Sequence, residues 1–210
     1  MSKPLTIAVN KGRILEQLLP LLETAGIQSK EDPRSSRKLL FASVCEQYRI
    51  VVMRGADIPV YVEQGAADIG ITGKDTLLEY PGYDYYERLD LGIARCRVMT
   101  AAPVGYIRPR GRPLRVATKF TSIAQKYYAE QGVQVKLIKL AGAMEIAPLM
   151  GLADQIVDIV DTGNTLKANG LEARELICEV STRVIVNRAS LKLRLDEIEA
   201  LIQKMRVARG

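Results

Sequence analysis

One stretch of the chain combines carboxylates with a glycine-containing turn, a set of groups suited to a sugar phosphate. It follows an apolar, β-branched run, and its polar members are Asp158, Asp161, Thr162, Gly163, Asn164 and Thr165. Gly163 lets the backbone approach a phosphate closely, and the N–H groups that open a helix bind anions together with threonine hydroxyls. Carboxylates accept hydrogen bonds from a ribose diol and can also help to hold Mg²⁺. The spacing therefore favours a sugar-phosphate site, and the alternative is that Asp161 only caps a helix.

Cations stand beside glycine at the ends of two other predicted strands. Lys11, Gly12 and Arg13 follow the first strand, and Arg54 follows a later one. Cations at a strand end can hold the phosphates of a nucleotide or a departing pyrophosphate. For the first group the alternative is a solvated basic turn, because lysine and arginine are common on surfaces. Asp57, shortly after Arg54, is interpreted as a helix cap.

Two further candidates depart from known motifs. Gly73 and Lys74 resemble a nucleotide-binding loop, but Asp68 and Asp75 stand where the Walker A motif requires glycine and Ser or Thr. Arg34 lies in a basic stretch before a strand, for which a solvated loop is the default interpretation. Taken with the carboxylates, these anion sites at strand ends indicate a cleft that holds two phosphorylated ligands.

The elements that must position these residues follow an α/β pattern, with mostly parallel sheets. The predicted strands are Leu5–Asn10, Leu39–Val44, Tyr48–Met53, Asp68–Thr72, Val98–Ala102, Leu114–Thr118, Val133–Lys139, Ile156–Val160 and Thr182–Asn187. The predicted helices are Arg13–Ala25, Ile58–Gly65, Ser122–Gln131, Met144–Leu152 and Leu191–Arg206. In the last helix we expect one buried face, formed by Leu191, Leu195, Ile198, Ile202 and Met205. Ligands of open α/β sheets bind at the carboxyl ends of strands, which is where the candidate residues lie.

The chain also contains a degenerate internal repeat. Residues 65–68, a strand and Thr72-Gly73 resemble residues 151–154, a strand and Thr162-Gly163, and the second copy is four residues longer. A functional repeat would bring one Thr-Gly turn from each copy to a shared cleft. Chance similarity between common strand-turn-helix pieces is the alternative.

Composition excludes several kinds of chemistry. Histidine is absent, so Ser-His-Asp hydrolysis, Cys-His catalysis and histidine-based zinc sites are excluded. The net charge of +6 is scattered along the chain, which favours phosphorylated ligands over nucleic acid. Three cysteines without a CxxC pair fit a reducing cytoplasm, where we expect the protein. No apolar run approaches the roughly 18 residues of a membrane span.

The segment from Glu145 to Leu166 resembles, throughout its length, the signature of ATP phosphoribosyltransferases. The similarity extends to residues 10–13, 54–59, 65–75, 89–91 and 115–119. It implies an enzyme that joins ATP to phosphoribosyl pyrophosphate (PRPP) in the first step of histidine biosynthesis. In that reaction adenine N1 attacks the anomeric carbon of PRPP with inversion, and pyrophosphate leaves.

The resemblance assigns a role to each candidate residue. The residues implied to bind PRPP are Asp158, Asp161, Thr162, Gly163, Asn164 and Thr165. Those implied to bind ATP and pyrophosphate are Lys11, Gly12, Arg13, Arg34, Arg54, Gly73 and Lys74. Among them, Lys11, Arg13 and Arg54 are predicted to be catalytic. Mg²⁺ is the expected cofactor, bound mainly through the substrate.

The resemblance also implies a two-lobed α/β fold like that of type II periplasmic binding proteins, with mixed sheets, flanking helices and a hinge. The first domain is expected at residues 1–95 plus 180–210, and the second, which carries the PRPP 5-phosphate loop, at residues 96–179. The chain ends at Gly210, directly after the predicted final helix, which indicates the short form of the family. Short forms work with a separate regulatory subunit resembling a histidyl-tRNA synthetase, in a hetero-octamer, and feedback by histidine would depend on that partner.

Three other interpretations of the sequence remain open. A nucleobase-salvage phosphoribosyltransferase also combines acids with a Thr-Gly-x-Thr loop, although Lys11, Gly12 and Arg13 and the absence of adjacent paired acids argue against it. A solute receptor would share the two-lobed fold. A basic nucleic-acid binder is the third, and no nucleic-acid or membrane partner is expected.

Overall fold

The computed structural model of the chain describes residues 3–209. These residues fall into two units: the first contains residues 3–94 and 181–209, and the second is Arg95–Val180. The chain therefore leaves the first unit once and returns to it after the second is complete. The domain limits expected at Met1 and Gly210 lie outside the described residues.

Strands and helices alternate along most of the described chain. The strands are β1 (Leu5–Asn10), β2 (Leu40–Ala42), β3 (Tyr48–Met53), β4 (Ile69–Gly73), β5 (Tyr85–Asp90), β6 (Cys96–Pro103), β7 (Leu114–Thr118), β8 (Val135–Lys139), β9 (Gln155–Val160), β10 (Leu171–Val180) and β11 (Thr182–Asn187). The helices are α1 (Arg13–Thr24), α2 (Ile58–Glu63), α3 (Lys74–Glu79), α4 (Thr121–Glu130), α5 (Ile146–Leu149), α6 (Asn164–Ala168), α7 (Arg188–Leu193) and α8 (Leu195–Arg209). A 3-10 turn at Gly55–Asp57 precedes α2.

The sheet of the first unit has the strand order β2-β3-β1-β4-β11-β5. β1 is parallel to β3 and β4, whereas β2 and β11 are antiparallel to their neighbours. Ile7 and Val9 of β1 pack in the cluster that includes α1 and α8, and Ala8 packs against Ile58 and Val62 on the opposite face. Because β1 is covered on both faces, its sequence is a continuous apolar run.

The sheet of the second unit has the order β10-β6-β9-β7-β8. β7 is parallel to β8 and β9, whereas β6 and β10 are antiparallel to their neighbours. One face packs against Ala147 of α5 and Leu166 of α6, and the other packs against Ile123 and Ala124 of α4. The carboxyl ends of β7, β8 and β9 therefore lie at one edge of this sheet, where ligands of such sheets bind.

Predicted bounds agree with the structure for β1, β3, β7 and β11, and most other predicted elements differ by a few residues. The helix predicted at Met144–Leu152 shrinks to the four residues of α5. Ala143 has a positive φ of 52° just before it, and Gly151 has one of 69° just after it. Pro148 inside α5 has no N–H to donate, so a longer helix has no support there.

The final helix was predicted as one piece, and this prediction is wrong. Arg194 separates α7 from α8 with φ and ψ of −135° and 38°. Its guanidinium pairs with Glu197 of α8 and lies 3.9 Å from Asp68 Oδ2. The break moves Leu195 away from the expected buried face, and it is 52% exposed, whereas Ile198 is fully buried.

Three elements were not predicted from sequence, namely α3, β5 and β10, and α6 was expected only as a helix start without bounds. β10 contains Glu, Ala, Arg and Leu residues that favour helices, but it pairs antiparallel with β6 along most of its length. Tertiary pairing therefore overrides the local helix preference. Within residues 3–209, none of the helices has the length and apolar content that crossing a membrane requires.

Candidate functional site

Asp158, near the end of β9, lies beside a basic side chain in the predicted PRPP site. β7 and β9 are parallel, with Thr118 opposite Val157, so Lys119 lies beside Asp158 at the same sheet edge. Lys119 Nζ is 3.6 Å from Asp158 Oδ1. Asp158 Oδ1 also accepts a hydrogen bond of 2.8 Å from the Ile159 N–H. Its side chain is only 17% exposed, so the carboxylate is held in place rather than solvated freely.

The environment of Asp158 shifts its protonation equilibrium. Burial raises the pKa of Asp158, because desolvation disfavours the charged form, and the Glu145 carboxylate adds to that rise. The Lys119 ammonium and the Ile159 N–H act in the opposite direction. The pKa remains raised, so the site places a carboxyl group of reduced acidity next to a lysine.

The turn that follows β9 has the backbone shape that a phosphate cradle requires. Gly163 has φ of 78° and ψ of 5°, a left-handed conformation that strains residues with a side chain, and α6 begins directly after it. The Asn164 N–H donates to Thr162 Oγ1 at 3.4 Å. Arg97 Nη2 donates to the Asp161 carbonyl at 3.3 Å. These contacts hold the turn at the edge of the sheet beside β6.

The same turn leaves groups available to an anion. The first turn of α6 contains no acidic residue, and the first N–H groups of a helix have no partner within it. Thr162 and Thr165 are exposed, so their hydroxyls can reach a ligand. The six predicted PRPP-binding residues therefore lie on β9, the turn after it and the start of α6, and their ligand roles stay predictions.

The sheet of the first unit gathers most of the residues predicted to bind ATP and pyrophosphate. Asn10 at the end of β1 is opposite Met53 at the end of β3, and Val9 is opposite Ile71 of β4. The residues at the ends of these parallel strands and directly after them therefore meet at one edge. They are Lys11, Gly12, Arg13, Arg54, Gly73 and Lys74. Gly12 itself has a positive φ of 87°, which permits the sharp entry into α1.

Asn10 and Gly55 fix the spacing of the two cationic turns at this edge. A Cβ atom on Gly55 would lie 2.9 Å from Asn10 Nδ2, so glycine leaves the room that the amide needs. The Lys11 N–H donates to the Met53 carbonyl at 3.0 Å. Arg54 is exposed. The two turns are therefore locked together by the backbone, while the Arg54 guanidinium is accessible to a ligand.

Lys74 is at this edge, but its ammonium already has a carboxylate partner. Lys74 Nζ is 2.6 Å from Glu87 Oε2, with both side chains 30% exposed. Arg183 pairs with the other oxygen of Glu87 at 3.4 Å and with Asp90 at 3.1 Å. A phosphate bound by Lys74 would have to compete with Glu87.

Arg34 is not brought to this edge by any contact of its side chain. It lies in the loop between α1 and β2, and its Nη2 is 2.9 Å from Asp32 Oδ2. Hydrogen bonds that the Arg34 guanidinium donates to Asp32 raise the pKa of Arg34, with smaller contributions from the charges of Glu23 and Glu16 of α1. Its assignment to ATP or pyrophosphate stays a prediction.

Two basic residues near the turn were missed as site candidates in the sequence. Lys119 directly follows β7 in the same way that Lys11 follows β1, so the rule that found Lys11 could have found it. Arg97 lies at the start of the antiparallel strand β6, opposite Val160. No local sequence signal marks Arg97, because antiparallel pairing alone brings it to this edge.

Comparisons with known proteins show the family of the chain. The model of the HisG family, described as ATP phosphoribosyltransferase, matches residues 54–207. An ATP phosphoribosyltransferase of Teredinibacter turnerae is 60% identical over 97% of this chain and 95% of its own length. The chain belongs to the ATP phosphoribosyltransferase family. A second member, from Pseudomonas fluorescens, is 57% identical over 97% of this chain and 96% of its own length. The activity of the chain is therefore that of the first step of histidine biosynthesis, as predicted.

Solved structures confirm the fold class. A chain of the ATP phosphoribosyl transferase (HisG:HisZ) complex from Thermotoga maritima matches with a TM-score of 0.84 and 32% identity, over 98% of both chains. The periplasmic aliphatic sulphonate binding protein SsuA of Escherichia coli matches with a TM-score of 0.61, over 100% of this chain and 73% of its own. At 14% identity SsuA shows the fold alone. Both matches agree with the predicted two-lobed α/β fold.

Proposed function

We propose that this ATP phosphoribosyltransferase binds PRPP at the end of β9, with its 5-phosphate in the turn from Asp161 to Thr165 and its ribose beside Asp158. One observation carries the assignment: a half-buried carboxylate and a helix start without acidic residues lie on the same short segment. A phosphate needs the N–H groups and hydroxyls of the turn, and a ribose diol needs the carboxylate.

The edge of the first unit's sheet that carries Lys11, Arg13 and Arg54, here called the cationic edge, supplies groups for the second substrate, ATP. We assign the ATP phosphates and the departing pyrophosphate to Lys11, Gly12, Arg13 and Arg54. These residues follow adjacent parallel strands, and the guanidinium of Arg54 is exposed. Arginine binds phosphate oxygens with two donors at once, which suits a pyrophosphate that gains charge as it leaves.

Gly73, Lys74 and Arg34 contribute less directly to this assignment. Lys74 and Arg34 each have a carboxylate partner at 2.6 Å and 2.9 Å, which a phosphate would have to displace. We place Lys74 at the border of the ATP site, where it shares its charge between Glu87 and the ligand. Arg34 would join the site only by leaving Asp32.

The reaction asks little of a general base. The N1 atom of adenine is a nucleophile in its neutral form, so a chain without histidine can catalyse the transfer. Aligning two bound reactants contributes about 7–11 kcal/mol to lowering a barrier. Cations aimed at the leaving pyrophosphate supply the electrostatic part, and Lys11, Arg13 and Arg54 are the residues we assign to it.

Mg²⁺ is the cofactor that we propose, and the donor set indicates how it is held. Among residues 3–209, no three His, Cys, Asp or Glu side chains lie close enough together to form a metal site. Mg²⁺ keeps several waters and commonly binds through one or two carboxylates plus substrate phosphates. We therefore propose that it arrives on PRPP, where it would neutralise pyrophosphate charge.

A separate regulatory subunit is part of the proposal. The Thermotoga maritima structure is a complex of HisG with HisZ, and this chain covers 98% of the HisG-like chain it matches. We propose that this chain works with a comparable partner, one resembling a histidyl-tRNA synthetase, in a hetero-octamer. Size measurement of the purified chain with and without that partner tests the assembly.

The first experiment is an assay of the purified chain with ATP, PRPP and Mg²⁺, following the ultraviolet absorbance of phosphoribosyl-ATP. We expect product with ATP and none with free adenine, guanine or orotate. Product from a free nucleobase would favour a salvage enzyme. No product, even with the regulatory subunit present and pyrophosphate removed, would contradict the proposed function.

Arg54→Ala tests the cationic edge in the same assay. Because Arg54 is exposed, we expect the melting temperature to change little, while kcat falls about a hundredfold through loss of charge stabilisation. Arg206→Ala is the matched control, since Arg206 is also exposed but lies on α8. An equal loss of kcat in both variants would remove Arg54 from the site.

A further inference from the structure

Lys119 occupies a position at the candidate PRPP site to which no role has been assigned so far. It follows β7, whose neighbour in the sheet is β9, and its ammonium is 3.6 Å from Asp158 Oδ1. The side chain of Lys119 is 40% exposed, whereas that of Asp158 is 17% exposed. The lysine therefore contacts the half-buried carboxylate, while the exposed part of its side chain is open to a ligand.

The backbone around Lys119 is anchored from both sides by a buried threonine. Thr118 Oγ1 donates to the Val157 carbonyl at 2.6 Å and accepts from the Phe120 N–H at 2.8 Å. Thr118 has no exposed surface. Since Val157 directly precedes Asp158, these bonds fix the turn at Lys119 relative to the carboxylate that it contacts.

An aromatic ring adds a second constraint on the ammonium. Lys119 Nζ lies 4.7 Å from the centroid of the Phe120 ring, and Phe120 is only 4% exposed. A cation over a ring face is attracted by the negative potential of that face. The lysine is therefore partly preorganised, which lowers the entropy lost when a ligand binds it.

The negative charge around Asp158 would oppose the binding of an anionic substrate unless a cation lay nearby. Asp158, Asp161 and Glu145 are all acidic, and PRPP is a polyanion. Bringing PRPP to this edge with the acids alone would place like charges together. The exposed ammonium of Lys119 offsets part of that repulsion, and it sits where the sugar is proposed to bind.

We propose that Lys119 is a further PRPP-binding residue, which uses its contact with Asp158 to present its ammonium to the pyrophosphate arm of the substrate. This inference rests on the proposed PRPP site. PRPP has two anionic groups, and the 5-phosphate is assigned to the turn at Gly163. The pyrophosphate is attached next to the ribose diol at Asp158, so in the proposed pose it is the anionic group nearest to Lys119.

The test compares Lys119→Met with Lys119→Arg and with Lys139→Met. Lys139 is the matched control, because it ends β8 directly opposite Thr118 and is exposed. PRPP and ribose 5-phosphate binding are measured by calorimetry, and KM and kcat are measured in the product assay. Thermal melts verify that each variant is folded.

For Lys119→Met we expect PRPP affinity to fall about tenfold, as for the loss of one charge-assisted hydrogen bond. Ribose 5-phosphate lacks the pyrophosphate, so its affinity should change less than about twofold. Lys119→Arg should keep PRPP affinity within about threefold of the wild type, and Lys139→Met should not differ from it. The KM for ATP should be unchanged.

Unchanged PRPP affinity in Lys119→Met would overturn the inference. An equal loss for PRPP and ribose 5-phosphate would also overturn it, because Lys119 would then support the ribose or 5-phosphate end. A similar loss in Lys139→Met would indicate a general effect of charge. If the wild-type chain neither binds PRPP nor forms product, the proposed site itself fails, which is a separate and recognisable outcome.

Discussion

The two copies of the internal repeat share one structural framework, although they lie in different units. In the first copy Asp68 accepts from the Thr6 N–H at 2.8 Å and donates its own N–H to the Thr6 carbonyl at 2.9 Å. In the second copy Asp154 does the same with Arg115, at 2.9 Å and 2.8 Å. Each aspartate thus lies just before its strand and holds a neighbouring parallel strand by two hydrogen bonds. We call this pair of hydrogen bonds an aspartate clamp. The sequence repeat therefore marks a repeated piece of structure.

The copies differ where each strand ends in Thr-Gly. In the first copy Gly73 is extended and Asp75 stands in the first turn of α3, with its carboxylate so close that a side chain on Gly73 would overlap it. In the second copy Gly163 is left-handed and the first turn of α6 has no acid. An internal carboxylate takes the anion position in the first copy, while the second leaves it available to a ligand.

The two copies therefore combine the same structural framework with two different turns. The aspartate clamps stabilise both sheets, and only the longer second copy extends beyond its strand to form an open turn. The extra residues include Asp158 and Asp161, which the first copy lacks. We expect the 5-phosphate at the second copy, and the assignment of Gly73 to ATP or pyrophosphate stays a prediction.

The largest expected effect is on the framework. Asp154→Asn should lower the free energy of unfolding by about 3 kcal/mol, because a buried carboxylate is removed from Arg112 and Arg115. Those arginines lie 2.7 Å and 2.8 Å from its oxygens, and its side chain is 6% exposed. Chemical denaturation at neutral pH measures the loss. The matched change Asp68→Asn should cost about 1.5 kcal/mol, since its arginine is 3.9 Å away.

The pH dependence of that loss follows from the sign of the shift. Hydrogen bonds from Arg112, helped by Arg115, hold the pKa of Asp154 well below its usual range. The contribution of Asp154 is therefore present above its unfolded pKa of about 3.9 and disappears as the pH falls further. The difference in the free energy of unfolding between wild type and Asp154→Asn should be constant from roughly pH 5 to 8 and should disappear in acid. If this difference in the free energy of unfolding became smaller near neutral pH, the ion pairs of Asp154 would not be its cause.

A smaller effect is expected at the open turn. Asp161→Asn should reduce kcat/KM for PRPP about thirtyfold, equivalent to about 2 kcal/mol, while the melting temperature changes little because the residue is exposed. Initial rates at varied PRPP concentration measure this. An unchanged KM and kcat would remove Asp161 from the site and weaken the distinction between the two turns.

Gly163→Ala should raise the KM for PRPP about tenfold, or about 1.4 kcal/mol, because alanine resists the left-handed conformation of the turn. Gly132→Ala is the matched control, since Gly132 has a φ of 66° and open space around it in the same unit. Both variants should lose similar stability in thermal melts. If Gly132→Ala raises the KM equally, backbone strain alone would explain the result.

The smallest effect belongs to the first copy. Asp75→Asn should cost about 0.5 kcal/mol of stability, the usual scale for a carboxylate at a helix start, and should leave the KM for PRPP unchanged. Denaturation and PRPP kinetics on the same preparation measure both quantities. A rise in the KM for PRPP comparable to that of Asp161→Asn would make the two turns equivalent and break the distinction.

Local patterns in the sequence were sufficient for several interior strands. β1, β3, β7 and β11 have the predicted bounds, because each is a mainly apolar run with a neighbouring strand on both sides. The edge strands β5 and β10 escaped prediction, since one side of each lacks a neighbour and its residues are polar or favour helices. The six candidate PRPP-binding residues could be proposed from the sequence because they lie in one contiguous segment, and their roles stay predictions. The assignments of Mg²⁺, the hetero-octamer and the cytoplasmic location stay predictions.

The sequence by itself determined the family, the α/β class and the contiguous turn from Asp158 to Thr165, because these depend on residues close together in the chain. The tertiary structure alone decided that Lys119 contacts Asp158 and that Asp75 fills the anion position at Gly73. Strand pairing sets the first of these distances, and a side-chain rotamer sets the second. Neither leaves a periodic mark in the sequence, since a contact between strands depends on register and packing rather than on local preference.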